Sequence, residues 1–149
     1  MSSQISRILV AFDGSKDATK AVTMACSLAK KYGSSVTIAY VYSLEAFAYA
    51  GAAPVPIPDF QPLEDAARAK GKAILDQGVN TAKDAGVDAS ERLIEAPSIV
   101  QALLECAEKE KADLIVVGTR GVSGFKKLIM GSVSSGLTSH AICPVLVVR

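Results

Sequence analysis

Short apolar runs alternate with helical patterns from one end of the chain to the other, and this alternation limits the folds open to it. The runs ISRILVAF (5–12), SSVTIAYVY (34–42), ASERLIEA (89–96), DLIVVG (113–118) and CPVLVVR (143–149) are predicted to be strands. Helices are predicted between them, at roughly 15–32, 62–85, 97–112 and 132–141. The order βαβαβαβαβ predicts an α/β fold: one doubly wound parallel sheet with helices on both faces, forming a single domain over residues 1–149.

Three segments carry further local signals. DLIVVG is wholly apolar, as in a strand buried on both faces, whereas ASERLIEA alternates polar and apolar residues like a strand near a sheet edge. The helix over 62–85 contains Gly71 and Gly78, which weaken it. Prolines at 54, 56, 58 and 62 predict an extended surface loop over residues 43–62 rather than a regular helix.

Composition excludes several classes of partner. Half of the 149 residues are hydrophobic and 21% are charged, which indicates a globular chain. The net charge is +1 and no basic block occurs, so neither nucleic acid nor an anionic membrane is expected as the main partner. No leader-like segment or membrane-spanning run is found, and a cytoplasmic location is expected.

Cysteine and histidine give no sign of a metal site. Cys26, Cys106 and Cys143 are widely spaced without a C-x-x-C motif, and the first two lie in helical apolar patterns, so they are predicted to be buried and unpaired. His140 is the single histidine of the chain, and a zinc or iron site would have to depend on it almost alone.

The stretch GTRGVSGFKKLIMGSVSSG (118–136) holds five of the eleven glycines and directly follows the run DLIVV. Gly118, Gly121 and Gly124 can take positive φ and bring backbone amides close to a ligand. Gly131 and Ser132 open the next helix, whose first amides attract anions. The alternative is an ordinary turn in which Ser132 is an N-cap without a ligand.

Other groups near this stretch also suit a phosphate. The Ser132 and Ser134 hydroxyls can donate to phosphate oxygens, and the nearby cations are Arg120, Lys126 and Lys127. Asp13, Val41 and Gly118 follow or close the first, second and fourth strands, so they fall on one edge of a parallel sheet. Neither the P-loop motif nor G-x-G-x-x-G after the first strand is present, which disfavours both of those nucleotide folds.

The spacing Gly118-x2-Gly121-x9-Gly131-Ser132 resembles the ATP-binding branch of the universal stress protein family. The resemblance covers the whole chain, from RILVAFDGS to CPVLVVR. It implies a Rossmann-like sheet of order 3-2-1-4-5 and an antiparallel homodimer through the final strand. It also implies ATP, with or without Mg²⁺, as the ligand.

The same resemblance implies roles for individual residues. Asp13 would contact the ribose or adenine, and the main chain of Val41 would meet the adenine. The phosphates and ribose would be lined by Gly118, Gly121, Gly131, Ser132, Val133 and Ser134. Ala11 stands where some ATP-binding relatives have proline, which can change the adenine edge, and Arg120 occupies a variable position of the motif.

No catalytic site is predicted. GVSGF differs from G-x-S-x-G because Phe125 takes the last place, and Asp13 is the sole carboxylate expected in the crevice. The leading hypothesis is therefore a dimeric, ATP-binding regulatory or stress-response module with at most slow hydrolysis. Two alternatives stay open: a protein-interaction module that uses the proline-rich loop and the last strand, and a slow ATPase.

Overall fold

A computed structural model describes residues 4–44, 61–119 and 131–149 of the chain. Five parallel strands form one sheet in the order β3-β2-β1-β4-β5. The strands are β1 (Arg7–Ala11), β2 (Ser35–Tyr42), β3 (Ser90–Glu95), β4 (Leu114–Gly118) and β5 (Val145–Val148). The helices are α1 (Lys16–Tyr32), α2 (Gln61–Asp84), α3 (Ile99–Lys109) and α4 (Ser132–His140). The predicted fold class, strand order and alternation are confirmed, with each element displaced by a few residues at most.

The central strand β1 is buried on both faces of the sheet. Ile8, Val10 and Phe12 pack on one side with residues of α1 and α2. Leu9 and Ala11 pack on the other side with residues of α3 and α4. Helices thus cover both faces, which explains why β1 and β4 are continuous apolar runs rather than alternating ones.

The two edges of the sheet differ in chemistry. The edge strand β3 carries charged side chains: Lys72 of α2 pairs with Glu91 at 2.6 Å, and Arg92 pairs with Glu110 at 2.6 Å. The other edge strand, β5, has the wholly apolar sequence VLVV and is half-buried along its length. Ile142, which precedes β5, is 84% exposed. The alternating pattern of ASERLIEA therefore predicted the β3 edge correctly.

The glycines of α2 allow this helix to approach the sheet closely. A Cβ on Gly71 would lie 2.6 Å from Leu93 Cδ1, and one on Gly78 would lie 3.2 Å from the Phe12 ring. What these residues lose in helix propensity is thus offset by packing. Pro62 is the second residue of α2, a position that tolerates proline, whereas residues 45–60 with the other loop prolines lie outside the described part.

Cys26 and Cys106 are buried in the two apolar clusters and unpaired, as predicted, and burial raises the pKa of both thiols. Among the described residues, no three histidine, cysteine or acidic side chains come close enough to hold a metal ion. In the same residues, no helix has the length and apolar character needed to cross a membrane.

Candidate functional site

A cleft of about 690 Å³ opens at the carboxyl edge of the sheet. β1 has β2 on one side and β4 on the other, so the strand order reverses between β1 and β4. The cleft lies at this switch point. The ends of β1, β2 and β4, the starts of α1 and α4, and one face each of α2 and α3 contribute to its lining. Eight of the predicted residues line it: Ala11, Asp13, Val41, Gly118, Gly131, Ser132, Val133 and Ser134.

Asp13 is held in place by the turn between β1 and α1. Its Oδ1 accepts a hydrogen bond from the Ser15 amide at 2.9 Å. Ser15 in turn caps α1 by accepting from the Ala18 amide at 3.1 Å. Gly14 between them has φ of +82°, a conformation that glycine adopts at little cost. The turn therefore holds the carboxylate in the lining of the cleft.

The backbone of Val41 faces the cleft. Ala39, which pairs with Ala11, accepts from the Phe12 amide at 2.9 Å on the β1 side of β2. Backbone polar groups alternate in direction along a strand, so those of Val41, two residues further on, point to the same side. Because the pairing of β1 ends at Ala11, they extend past its end and into the cleft.

The amino terminus of α4 also faces the cleft. Its N-cap is Gly131, whose amide donates to the Thr119 carbonyl at 2.6 Å. No described side chain accepts from the first amides of α4, whereas Ser15 and Ser98 cap α1 and α3. Uncapped amides at a helix start carry a partial positive charge, so this end can bind an anion.

Ser134 does not fit its predicted role as a hydrogen-bond donor to phosphate. The residue is 1% exposed, and its hydroxyl donates to the Gly131 carbonyl at 3.0 Å. The hydroxyl is thus directed into the first turn of α4, where the Gly131 carbonyl accepts it in addition to the Ser135 amide at 2.9 Å. Ser132 is exposed, and its side chain is better placed to meet a ligand.

The structure gives a packing reason for the glycine at position 118, one that the sequence pattern did not reveal. It is absent from the described glycines with positive φ, which are Gly14, Gly33 and Gly86. A Cβ on Gly118 would lie 2.8 Å from the backbone carbonyl carbon of Asp17. The prediction of a positive φ is therefore wrong for Gly118, and its missing side chain makes room for the first turn of α1.

Several lining residues were not predicted. Lys70, Ile74 and Gln77 of α2 line the cleft, as do Tyr40 and Tyr42 of β2. The two tyrosine rings stack with centroids 6.2 Å apart. Burial raises the pKa of Tyr40, and the nearby charges of Asp13 and Tyr42 raise it further. Sequence patterns gave no signal for α2, because helical periodicity does not reveal which sheet edge a helix reaches.

The remaining predicted groups cannot be described. Arg120, Gly121, Gly124, Lys126 and Lys127 all lie within residues 120–130, outside the described part. Their predicted contacts with phosphate stay predictions. The described part of the cleft thus contains Asp13, the Val41 backbone and the amino terminus of α4 from the expected site.

Comparisons with known proteins agree with this architecture. Residues 4–149 match the model of the Universal stress protein family. The chain is 32% identical over 146 residues to Universal stress protein YxiE of Bacillus subtilis, covering 96% of this chain and 98% of that one.

Solved structures give the same result. A universal stress protein family protein from Burkholderia pseudomallei is 31% identical, with a TM-score of 0.73, covering 99% of this chain and 98% of that one. A universal stress protein solved in complex with cAMP is 30% identical, with a TM-score of 0.68, covering 97% of this chain and 96% of that one.

Proposed function

The chain belongs to the universal stress protein family, and we propose that it binds an adenine nucleotide, ATP foremost, in the cleft at the carboxyl edge of its sheet. The nucleotide is held as a regulatory or stress-response ligand rather than turned over rapidly. A cytoplasmic location and a homodimeric state are parts of the same proposal.

The uncapped start of α4 is the observation that carries the proposal. The amides of Ser132, Val133 and Ser134 lie in the first turn of a helix whose N-cap is a glycine without a side chain. A phosphate group satisfies such amides and gains from the helix dipole. The exposed Ser132 hydroxyl can donate a further hydrogen bond to a phosphate oxygen.

The nucleoside end of the ligand is assigned to the β1–β2 side of the cleft. The Val41 backbone offers a donor and an acceptor past the end of β1, which suits the hydrogen-bonding edge of adenine. The Asp13 carboxylate can accept from ribose hydroxyls while Oδ1 keeps the Ser15 amide. A cleft of about 690 Å³ is within the usual range of small-molecule sites.

A relative supports the choice of an adenine nucleotide. The universal stress protein solved with cAMP is 30% identical to this chain and aligns with 97% of it. Its ligand contains adenine, ribose and phosphate, the three parts for which the cleft has a complementary group. ATP rather than AMP, and Mg²⁺ as its counter-ion, are what the resemblance to the ATP-binding branch of the family implies, and they are the finer part of the proposal.

Holding rather than hydrolysis follows from the described lining of the cleft. Asp13 is the single carboxylate among those residues, and it is assigned to the ribose. Rapid phosphoryl transfer requires a carboxylate or another group that positions metal and water at the γ-phosphate. The described lining offers none, so any hydrolysis is expected to be slow.

The dimer is assigned to the β5 edge. Its apolar strand and the exposed Ile142 contrast with the ion pairs along β3. An exposed apolar edge is a template for pairing with another strand, whereas charged side chains oppose it. A second copy joined along β5 in antiparallel orientation covers this edge through a twofold interface.

The test combines mass spectrometry of small molecules released from the denatured protein with calorimetry of AMP, ADP and ATP binding. The informative pair of variants is Ser132→Glu and Ser132→Gln. A glutamate in the first turn favours the helix through its dipole, so the fold is retained. Its charge, however, is expected to weaken nucleotide binding about tenfold or more, while Gln has a much smaller effect.

Two results contradict the proposal. One is a wild-type protein that binds none of the three nucleotides, which would favour the interaction-module alternative. The other is equal nucleotide affinity in Ser132→Glu and Ser132→Gln, since the glutamate charge would repel a phosphate bound at the start of α4.

A further inference from the structure

We propose that Ile99, the first residue of α3, packs against the nucleobase and forms the apolar wall of the nucleoside end of the cleft. This inference rests on the proposed function and adds a residue that determines the affinity for the base. Ile99 lies on α3, an element that the glycine-rich motif does not include.

Ile99 is an apolar side chain that is exposed inside the cleft. Four large hydrophobic side chains of the described residues are exposed: Met24, Tyr32, Ile99 and Ile142. Among these four, Ile99 is the one that lines the cleft. It is 40% exposed, whereas Leu103, one turn further along α3 and also in the lining, is only 2% exposed. The cleft therefore presents apolar surface to water at Ile99, which a bound apolar group would cover.

The start of α3 is held in place on both sides of Ile99. Ser98 caps the helix by accepting from the Gln101 amide at 3.2 Å. Val100 packs on α4, where a Cβ added to Gly136 would lie 2.8 Å from Val100 Cγ2. Ile99 itself is β-branched, and such side chains have one strongly preferred rotamer in a helix. A ligand that packs on Ile99 therefore orders little of the protein when it binds.

Ile99 and the anion-binding start of α4 lie on the same face of the sheet. Residues of α3 and α4 share one apolar cluster with Val41 of β2. Both helices follow parallel strands, so both begin at the carboxyl edge. The Val41 backbone, to which the base is assigned, belongs to a strand on which α3 packs. A nucleotide with its phosphate at α4 and its base at Val41 thus brings the base next to the first turn of α3.

The Val41 backbone and the Ile99 side chain suit different parts of the base. Backbone donor and acceptor groups bind the in-plane edge of adenine, whereas an aliphatic side chain packs on the face of the ring. The free energy of that packing scales with the apolar area removed from water and does not involve the phosphate charge. Ile99 should therefore strengthen the binding of every adenine nucleotide by the same factor.

Met24 provides a matched control elsewhere on the surface. It lies on α1, and its exposed fraction of 43% is close to that of Ile99. It is absent from the lining of the cleft. Met24→Ala therefore removes exposed apolar surface of similar size without changing the cleft wall.

The experiment measures dissociation constants of AMP and ATP by calorimetry, at low and high salt and at several temperatures. It uses the full chain as wild type, Ile99→Ala, Ile99→Thr, Ile99→Leu and Met24→Ala. Ile99→Ala and Ile99→Thr are expected to weaken both nucleotides by one common factor, about three- to tenfold. Ile99→Leu should stay within about twofold of the wild type, and Met24→Ala should equal it.

Two further readings separate an apolar contact from a charge effect. The factor lost in Ile99→Ala should be the same at low and high salt, because screening acts on charges and not on apolar contacts. The heat-capacity change of binding should become less negative in this variant, since less apolar surface is buried.

Unchanged AMP affinity in Ile99→Ala and Ile99→Thr, next to a wild type that binds AMP, overturns the role of Ile99 and leaves the proposed function standing. Unequal losses for AMP and ATP would also overturn it, because the side chain would then act on the phosphates. So would an equal loss in Met24→Ala, since position would not matter. A wild-type protein that binds neither nucleotide would contradict the proposed function and, with it, this inference. Thermal denaturation of each nucleotide-free variant establishes that the fold is retained.

Discussion

The Thr119 hydroxyl donates to Asp17 Oδ2 at 2.8 Å and thereby joins the end of β4 to the first turn of α1. The two residues are 102 positions apart in the sequence. Thr119 is buried, and its amide donates to the Val148 carbonyl of β5. This contact fixes the end of β4 against the first turn of α1, and both elements contribute to the lining of the cleft.

Removal of this hydroxyl should destabilise the fold. Thr119→Val keeps the shape of the side chain but removes the donor to a partly buried carboxylate. We expect the free energy of unfolding to fall by about 1–3 kcal/mol, measured by urea denaturation. Thr23→Val is the matched control, because its hydroxyl donates to the Thr19 carbonyl on an exposed helix face. That change should cost less than about 0.5 kcal/mol. Equal losses in the two variants would show that the Thr119–Asp17 contact adds no stability.

A side chain at Gly118 should destabilise the protein even without nucleotide. The added Cβ of Gly118→Ala would lie 2.8 Å from the Asp17 carbonyl carbon and 3.0 Å from the Ala18 amide nitrogen. These are backbone atoms that cannot move aside, so we expect a loss of about 3 kcal/mol.

Gly33→Ala serves as the comparison for Gly118→Ala. Its φ is +71°, but no atom lies within 4 Å of the new Cβ, so the left-handed conformation alone should cost about 1 kcal/mol. Urea denaturation of the nucleotide-free proteins measures both. A Gly118→Ala variant as stable as the wild type would mean that this glycine is required for ligand approach and not for packing.

A charge beside β5 should prevent pairing of two copies. Ile142 is 84% exposed, so Ile142→Glu should leave the fold of one copy unchanged. A pair of such charges facing each other across a twofold interface repels, and we expect the dimer to dissociate in sedimentation or light scattering. Ser90→Glu adds the same charge at the opposite edge of the sheet and should leave the dimer intact. A wild-type monomer, or an Ile142→Glu dimer as tight as the wild type, would remove β5 as the interface.

The sequence predicted the elements well because their signals are local. Alternation of apolar residues identified β3 as an edge strand, and an unbroken apolar run identified β4 as buried. The cap of α3 is equally local, since Ser98 accepts from the Gln101 amide three residues later at 3.2 Å. The order of the strands required the family resemblance, because local periodicity does not say which strand is the neighbour of β1.

The sequence predicted the site less completely, because a glycine can serve packing as well as ligand binding and a helical lysine can face any direction. Gly118 was assigned to ligand approach, but it makes room for α1, a contact between residues about 100 positions apart. Lys70 was missed because helical periodicity does not reveal which edge of the sheet α2 reaches, and the close approach of α2 to the sheet depends on Gly71 and Gly78. Packing between distant parts of the chain is not visible in the sequence pattern around either residue.

The position of β4 beside β1 sets an order of events during synthesis. Ile8 pairs with Leu114, so the central strand has one neighbour missing until about a hundred further residues have left the ribosome. At usual translation rates that interval is about 5–20 s. For this time one side of the central strand lacks its hydrogen-bonding partner, and the sheet cannot be completed. A stall before residue 114 is therefore expected to leave a fragment with an unpaired strand edge, which is prone to aggregate.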